Sequence, residues 1–395
     1  MPVRLENPLE IPELVDHTLS FLDANSDFRA CALVSRTWVY PAQRRIFSDV
    51  RIAGNRDFVR LQVKSLLEAV RRSPHLADFV LSISVVDLEY IDLVDFRTLG
   101  TVPFTSLVSL EIVSHHTERP TQAVLTIQRL LRIPSLTSAV ILCSFASRDH
   151  FLRIWDECSR NIRYLSYPAI CYFSGSPPHP GKMDHALPGY PLEERIKLEA
   201  LAENNREAFF DSWLDDPGCP FDASGLKAYK FQRRSNQLCG ALADSRHTIE
   251  VISIGPLIEP EIMTLKDFTR LVQLDITWGP GTHWEGVDFV FNAIRTIEPE
   301  HRHSLAVLRF DITQGSLKLE RWMMAEIAGQ ICMLSADLTD GFPGLRVVEI
   351  SIDPETPALV GPDGFDSYFE ALGGEIEVQW NFDPSKREPW YKKLV

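Results

Sequence analysis

Ten short apolar runs recur along the chain, centred near positions 81, 110, 140, 165, 229, 252, 274, 308, 348 and 378. Most alternate an apolar residue with a polar or small one, the period of a β-strand that turns one face to a core. A triplet of large apolar residues spaced by three and then two occurs at Leu107/Leu110/Ile112, Ile162/Leu165/Tyr167, Leu226/Tyr229/Phe231, Ile249/Ile252/Ile254, Leu271/Leu274/Ile276, Leu305/Leu308/Phe310 and Leu345/Val348/Ile350. With 45% of the chain apolar, chance produces such a triplet at about 0.09 of starting positions, so the count alone decides nothing. Spacing and context carry more weight. Successive centres lie 22 to 40 residues apart except for one gap of 64. Several runs follow a helix-like stripe: Phe58, Leu61, Val63, Leu66, Leu67 and Val70 before Ser73-Pro74, and Val124, Ile127, Leu130 and Leu131 before Pro134. A strand-plus-helix unit of this size cannot bury its own apolar face, so neighbouring units have to share one continuous core.

The first fifty residues follow a different rule. Leu14, Val15, Leu19 and Leu22 fall on one helical stripe, with Pro12 tolerated in the first turn and Glu13 and Asp16 favoured near the positive end of the helix dipole. Asn25-Ser26-Asp27 offers N-cap residues for a second helix bearing Phe28, Cys31, Leu33 and Val34. Ser35-Arg36-Thr37-Trp38 opens a third, with Pro41 expected at an early position ahead of Ala42, Ile46 and Phe47. Three helices this short cannot bury all of their apolar surface alone, so something else has to cover part of it.

Read in order, Ile11-Pro12-Glu13-Leu14-Val15, Leu19, Leu22, Leu33-Val34-Ser35-Arg36-x-Trp38 and Ile46-Phe47 resemble an F-box. The resemblance implies a three-helix hook that binds the Skp adaptor of an SCF-type cullin-RING ubiquitin ligase, with Pro12, Leu14, Val15, Leu19, Leu22, Val34 and Trp38 at the matching adaptor-binding positions. Two departures affect the register of the first helix: Glu13 directly follows Pro12, and Thr18 stands where an apolar residue is usual. The remainder resembles the irregular leucine-rich-repeat region of fungal-type F-box proteins, without the Asn or Cys that follows the last Leu of a regular repeat. The expected fold class is therefore α/β: an F-box over 1–50 and a leucine-rich-repeat-like solenoid over 51–395, with an insertion near 173–222. The alternative is a compact α/β domain with the same elements wound differently.

The 64-residue gap holds a loop-forming stretch, Phe173 to Gly181, then a segment from Pro191 to Leu214 whose Glu, Leu and Ala content predicts a helix ended by Asp215-Asp216-Pro217-Gly218. The chain's net charge is −14. That charge disfavours general binding to nucleic acid or to a membrane surface. Residues 331–395 contain twelve acidic and five basic residues, read as a solvated surface or an attraction for basic partners. There is no secretory signal pattern and no apolar run of the roughly 20 residues that a membrane-spanning helix needs, so the cytoplasm or nucleus is expected. Seven scattered cysteines, never spaced Cys-x-x-Cys, fit free thiols in a reducing compartment.

Sequence signatures of chemistry are missing. No Gly-x-Ser-x-Gly, Walker, Gly-x-Gly-x-x-Gly or His-Glu-x-x-His motif occurs, so no catalytic residue, metal or cofactor is expected. His115-His116 and His301-x-His303 read as turn or surface histidines, and Cys143, Cys158 and Cys171 as core filler. Trp278 and Trp284 flank a Gly-rich stretch after a strand, where an exposed Trp can anchor a partner. In the strand register, Glu111, Ser166, Lys230, Ser253, Asp275, Arg309 and Glu349 fall on one face and share no chemistry that names a ligand. The function expected is a non-catalytic substrate receptor: Skp adaptor and cullin-RING ligase on one side, an unidentified protein substrate on the other. The rival reading is a protein-interaction scaffold whose N-terminal helices are a structural cap.

Overall fold

A computed structural model describes residues 11–22, 24–86, 88–91, 93–114, 121–143, 145, 148–167, 190–203, 214, 218–231, 243–255, 264–278, 292–312, 342–352 and 377–381. The chain divides into two units, Met1–Ile162 with Ile170–Lys182, and Arg163–Ala169 with Met183–Val395.

In the first unit, helices α1 (Pro12–Leu19), α2 (Asn25–Cys31) and α3 (Arg36–Ser48) precede strand β1 (Asp49–Ile52). Then come α4 (Arg56–Arg72), β2 (Ser82–Val85), α5 (Leu93–Leu99), β3 (Ser109–Ser114), α6 (Thr121–Leu131), β4 (Ser138–Cys143) and α7 (Arg148–Ile154). Strands β1 to β4 pair in chain order and all in parallel. Parallel neighbours need a crossover that returns the chain to the same end of the sheet, which is the task of the intervening helices. Helix α4 shows why the sequence folds locally as it does. Gly54 takes φ +120°, Asn55 Oδ1 accepts the Phe58 N–H at 3.0 Å, and Val59, Val63, Leu66 and Val70 recur at helical spacing and are buried. The sheet alternates cleanly: Ile83, Val85, Leu110, Ile112, Ala139 and Ile141 are buried, while Ser82, Ser84, Ser109 and Glu111 are half-buried on the other face.

The second unit contains β5 (Tyr164–Tyr167), β6 (Ile196–Lys197), β7 (Ala200–Glu203), β8 (Phe221–Asp222), β9 (Ala228–Phe231), β10 (Val251–Ile254), β11 (Gln273–Trp278), β12 (Val307–Ile312), β13 (Val347–Ile352) and β14 (Glu377–Asn381). Strands β5, β7 and β9 to β14 pair in that order, all in parallel, and β6 pairs with β8 apart from them. Strand entries recur in form. Carbonyls just before one strand accept two successive N–H groups at the start of the next, as Lys227 does from Glu250 and Val251, and Val272 from Ala306 and Val307. Hydroxyls tie the turns down: Thr248 Oγ1 donates to the Leu226 carbonyl at 2.7 Å and Ser304 Oγ to that of Leu271 at 2.9 Å. Gly344 packs so closely on the His303 carbonyl that a Cβ would collide with its oxygen.

The expected fold, an F-box followed by a leucine-rich-repeat-like solenoid, is corrected to an α/β arrangement built on extensive parallel sheet. A solenoid of that kind stacks equivalent units at a fixed period. Here the connectors differ in kind. Among the described residues, α4, the short α5, α6 and α7 serve the first unit, while the second has 3-10 turns, helical residues 292–295 and an added two-stranded ladder. Three helices do form near the N-terminus, but α3 runs directly into β1 and Tyr40 packs edge-on against Phe79 with ring centroids 4.8 Å apart.

Other expectations shift locally. Through residue 203 the helix expected from Pro191 to Leu214 is replaced by a 3-10 turn (Leu192–Glu194), β6 and β7, and residues 204–213 lie outside the described residues. Its Ala and Leu content favours a helix, but Ala200, Leu201 and Ala202 are buried where β7 pairs with both β5 and β9, and that tertiary burial overrides the propensity. The N-cap of α2 is Ala24 with no side-chain bond, because the helix already begins at Asn25. Pro41 lies inside α3, five residues past its start.

Candidate interaction surface

Helices α1 to α3 close on a small core made by Val15, Leu19, Phe28, Trp38 and Ala42, with Leu22, Cys31, Ala32 and Ile46 packed against it. Of the residues expected to bind an adaptor, Val15, Leu19 and Trp38 are therefore buried within the helices' own core, and Leu22 is half-buried. Pro12, Leu14 and Val34 remain exposed. Pro12 stands in the first turn of α1, where its missing N–H has no helical partner to lose. Thr18, the irregular position of the first helix, donates its hydroxyl to the Leu14 carbonyl at 2.7 Å, so a polar residue fits the exposed side without an unmet bond.

What the helices leave outside is unusually apolar. Leu14 is 45% exposed, Phe21 73%, Leu33 88% and Val34 62%. Phe21 and His17 meet edge-to-face at 5.0 Å between ring centroids. Scattered apolar residues on a surface need no explanation, but Leu33-Val34 forms an adjoining pair in the turn between two helices. One cross-helix ion pair, Arg45 to Asp16 at 3.9 Å, is solvent-exposed and contributes little. Sequence periodicity identified the apolar stripe of α1 but not its division, because adjacent Leu14 and Val15 differ only in the direction each takes from the helix.

A second set of expected positions comes together on the sheet of the second unit. Ser166, Lys230, Ser253, Asp275, Arg309 and Glu349 occupy one register row, joined by Ala202 on β7. The last three form an ionic triad in which Asp275 and Arg309 are buried and Glu349 is partly so. Arg309 Nε and Nη2 donate to Glu349 Oε2 at 2.7 and 2.6 Å, its Nη1 lies 3.5 Å from Asp275 Oδ2, and Gln273 donates to Asp275 at 2.8 Å. The Arg309 side chain is only 5% exposed. In the first unit Glu111 accepts a 2.6 Å bond from Ser84. These contacts satisfy the groups that make them, and the row reads as internal support.

Elsewhere the chemistry is sparse. Glu298, Glu300 and His301 bring their donor atoms within 4.8 Å of one another on an exposed turn, where Glu300 Oε1 lies 3.5 Å from His301 Nε2. His303 is not part of that group. Cys143 and Cys158 are buried, and desolvation pushes the Cys158 thiol up to about 12, far from a nucleophile's range. His115, His116, Cys171 and Trp284 lie outside the described residues, as does much of the 173–222 segment. No helix among the described residues is long and apolar enough to cross a membrane. No protein-family model matches the chain, and no curated protein matches it either.

Proposed function

We propose that this chain is a non-catalytic substrate receptor of an SCF-type ubiquitin ligase, in which residues 12–48 bind the Skp adaptor and the remainder of the chain holds a protein target. The observation that carries the reading is the division of apolar residues in α1 to α3. Val15, Leu19, Phe28 and Trp38 close the helices' core, while Leu14, Phe21, Leu33 and Val34 stay outside it. A partner that covers those side chains gains about 25 cal/mol for each Å² of apolar area removed from water. The receptor's mechanism is proximity: it raises the effective concentration of an acceptor lysine beside a charged conjugating enzyme, and other subunits supply the chemistry. Such a role places the protein in the cytoplasm or nucleus, with no cofactor of its own.

A specific contact favours the rival reading of a structural cap: α3 enters β1 without a break and Tyr40 packs on Phe79. One experiment separates the two. Wild-type chain co-purifies with the Skp adaptor, and a Leu14→Ala/Val34→Ala variant is lost from the complex while its melting temperature is unchanged. Leu19→Ala, a core truncation, loses about 2–5 kcal/mol of stability instead. Failure of the wild type to retain the adaptor removes the receptor reading, and a fall in the melting temperature of the surface variant favours the cap.

A further inference from the structure

The exposed side of α4 carries a feature that the adaptor reading does not use. Arg56, Arg60 and Lys64 follow one another at intervals of four, so they form a single ridge about 12 Å long. None of the three makes an ion pair among the described residues, and Arg60 Nε is shielded from water with no hydrogen-bond partner there. At the far end of the helix the situation reverses: Glu68 is held by Arg71 at 2.9 Å and by Arg72 at 2.6 Å. Leu61, 61% exposed, lies next to the ridge at three-residue spacing from Lys64; Phe58, 53% exposed, continues that row farther round the helix, and the exposed Asp57 stands between the two rows. The helix cannot rotate to hide this face, because Val59, Val63, Leu66 and Val70 seat the opposite one in the core.

The setting narrows the ligand. Residues 36–72 contain nine Arg and Lys against three Asp and Glu, in a chain whose net charge is −14. A long polyanion or an anionic membrane would be repelled by the rest of the molecule, whereas a short acidic segment meets only the local field. Phosphate backbones also have no use for two apolar side chains at the edge of the site. We infer that the α4 face formed by Arg56, Arg60 and Lys64 with Phe58 and Leu61 is a docking surface for a short acidic segment of a partner protein, anchored by one or two apolar side chains. The inference does not depend on residues 12–48.

The test uses the full chain and a fluorescein-labelled peptide of about twelve residues that repeats Glu-Glu-Leu, long enough to cover the ridge. A matched Gln-Gln-Leu peptide, a single-stranded RNA of similar length and phosphatidylserine vesicles are compared with it. The wild type binds the Glu peptide with an affinity that falls as salt rises, and binds the Gln peptide at least about tenfold more weakly. Arg56→Glu/Lys64→Glu lowers affinity for the Glu peptide about tenfold or more with an unchanged melting temperature, and Lys266→Glu, a charge reversal in the other unit, leaves it unaltered. Equal binding by wild type and the α4 variant, equal binding of the two peptides, or tighter binding to RNA or vesicles overturns the proposal. So does a salt-sensitive dimer in sedimentation that the α4 variant abolishes, which assigns the face to a second copy of the chain. Loss of peptide binding with adaptor capture intact marks the surface as independent of the adaptor site.

Discussion

In the first unit, the polar row through Ser84 and Glu111 is half-open to solvent, whereas in the second unit Asp275 and Arg309 are almost wholly shut away from it and the Glu349 side chain is 13% exposed. The side-chain bonding follows the exposure. Glu111 takes one strong bond from Ser84 and can leave its other oxygen to water. Arg309 touches a carboxylate on each flanking strand, and Asp275 is further braced by Gln273. A charge in a dry environment has to be paired and hydrogen-bonded, because the cost of desolvating it is several kcal/mol. The two units thus use similar sheet positions under different dielectric conditions, and only the second makes its stability depend on a complete ionic set.

Breaking the buried set has the largest expected effect. Arg309→Met leaves Asp275 and Glu349 facing each other from strands on either side of β12 without the cation between them, a loss of about 3–5 kcal/mol in urea unfolding. Survival of the variant with a loss under about 1 kcal/mol would show that water reaches the row and that its burial is not what matters. The half-open row responds less. Glu111→Ala removes one charge-assisted bond at a partly wetted site, and about 1 kcal/mol or less is expected in the same assay. A loss as large as that of Arg309→Met would erase the contrast between the units.

The smallest effect belongs to the open surface of α4. Hydrogen bonds from Arg71, and with them those from Arg72, hold Glu68 down from the ordinary value of 4.5 to about 2. Its folded value lies below its unfolded one, so its contribution is fully present above about 4.5 and is lost as pH falls toward about 2. The difference in melting temperature between wild type and Glu68→Gln is small at neutral pH and closes across that interval. A difference that persists at pH 2 would mean that the ion pairs are not its source.

Strand positions were the most legible feature of this chain. Nine of the ten run centres fall within a strand, from Leu110 in β3 to Val378 in β14, and Leu81 lies just before β2. Alternation is a local signal, and burial of one sheet face is enough to impose it. The N-terminal helices were legible for the same reason. Strand β7 was not, since Ala and Leu report helix until two neighbouring strands claim them, and the N-cap of α2 slipped by a residue because Asn25 suits either the cap or the first turn.

The candidate surface was legible only as a set of residues. Periodicity grouped Pro12, Leu14, Val15, Leu19, Leu22, Val34 and Trp38 without separating the inward from the outward members. The basic ridge of α4 was present in the spacing of Arg56, Arg60 and Lys64, yet charges on an amphipathic helix ordinarily mark a solvated face. What distinguishes the ridge is that none of its three cations is ion-paired among the described residues, which depends on residues brought near by folding.

The chain's local periodicities by themselves determined where it extends, where it coils at the N-terminus, and which side chains share a face. Tertiary structure alone decided how the strands are ordered into parallel sheet, that Arg309 is enclosed between two acids, and that Val15 lies inside while Leu14 lies out. The physical reason is range. Periodicity records the environment of a residue within its own element, whereas burial, ion pairing and dielectric depend on groups tens or hundreds of positions away.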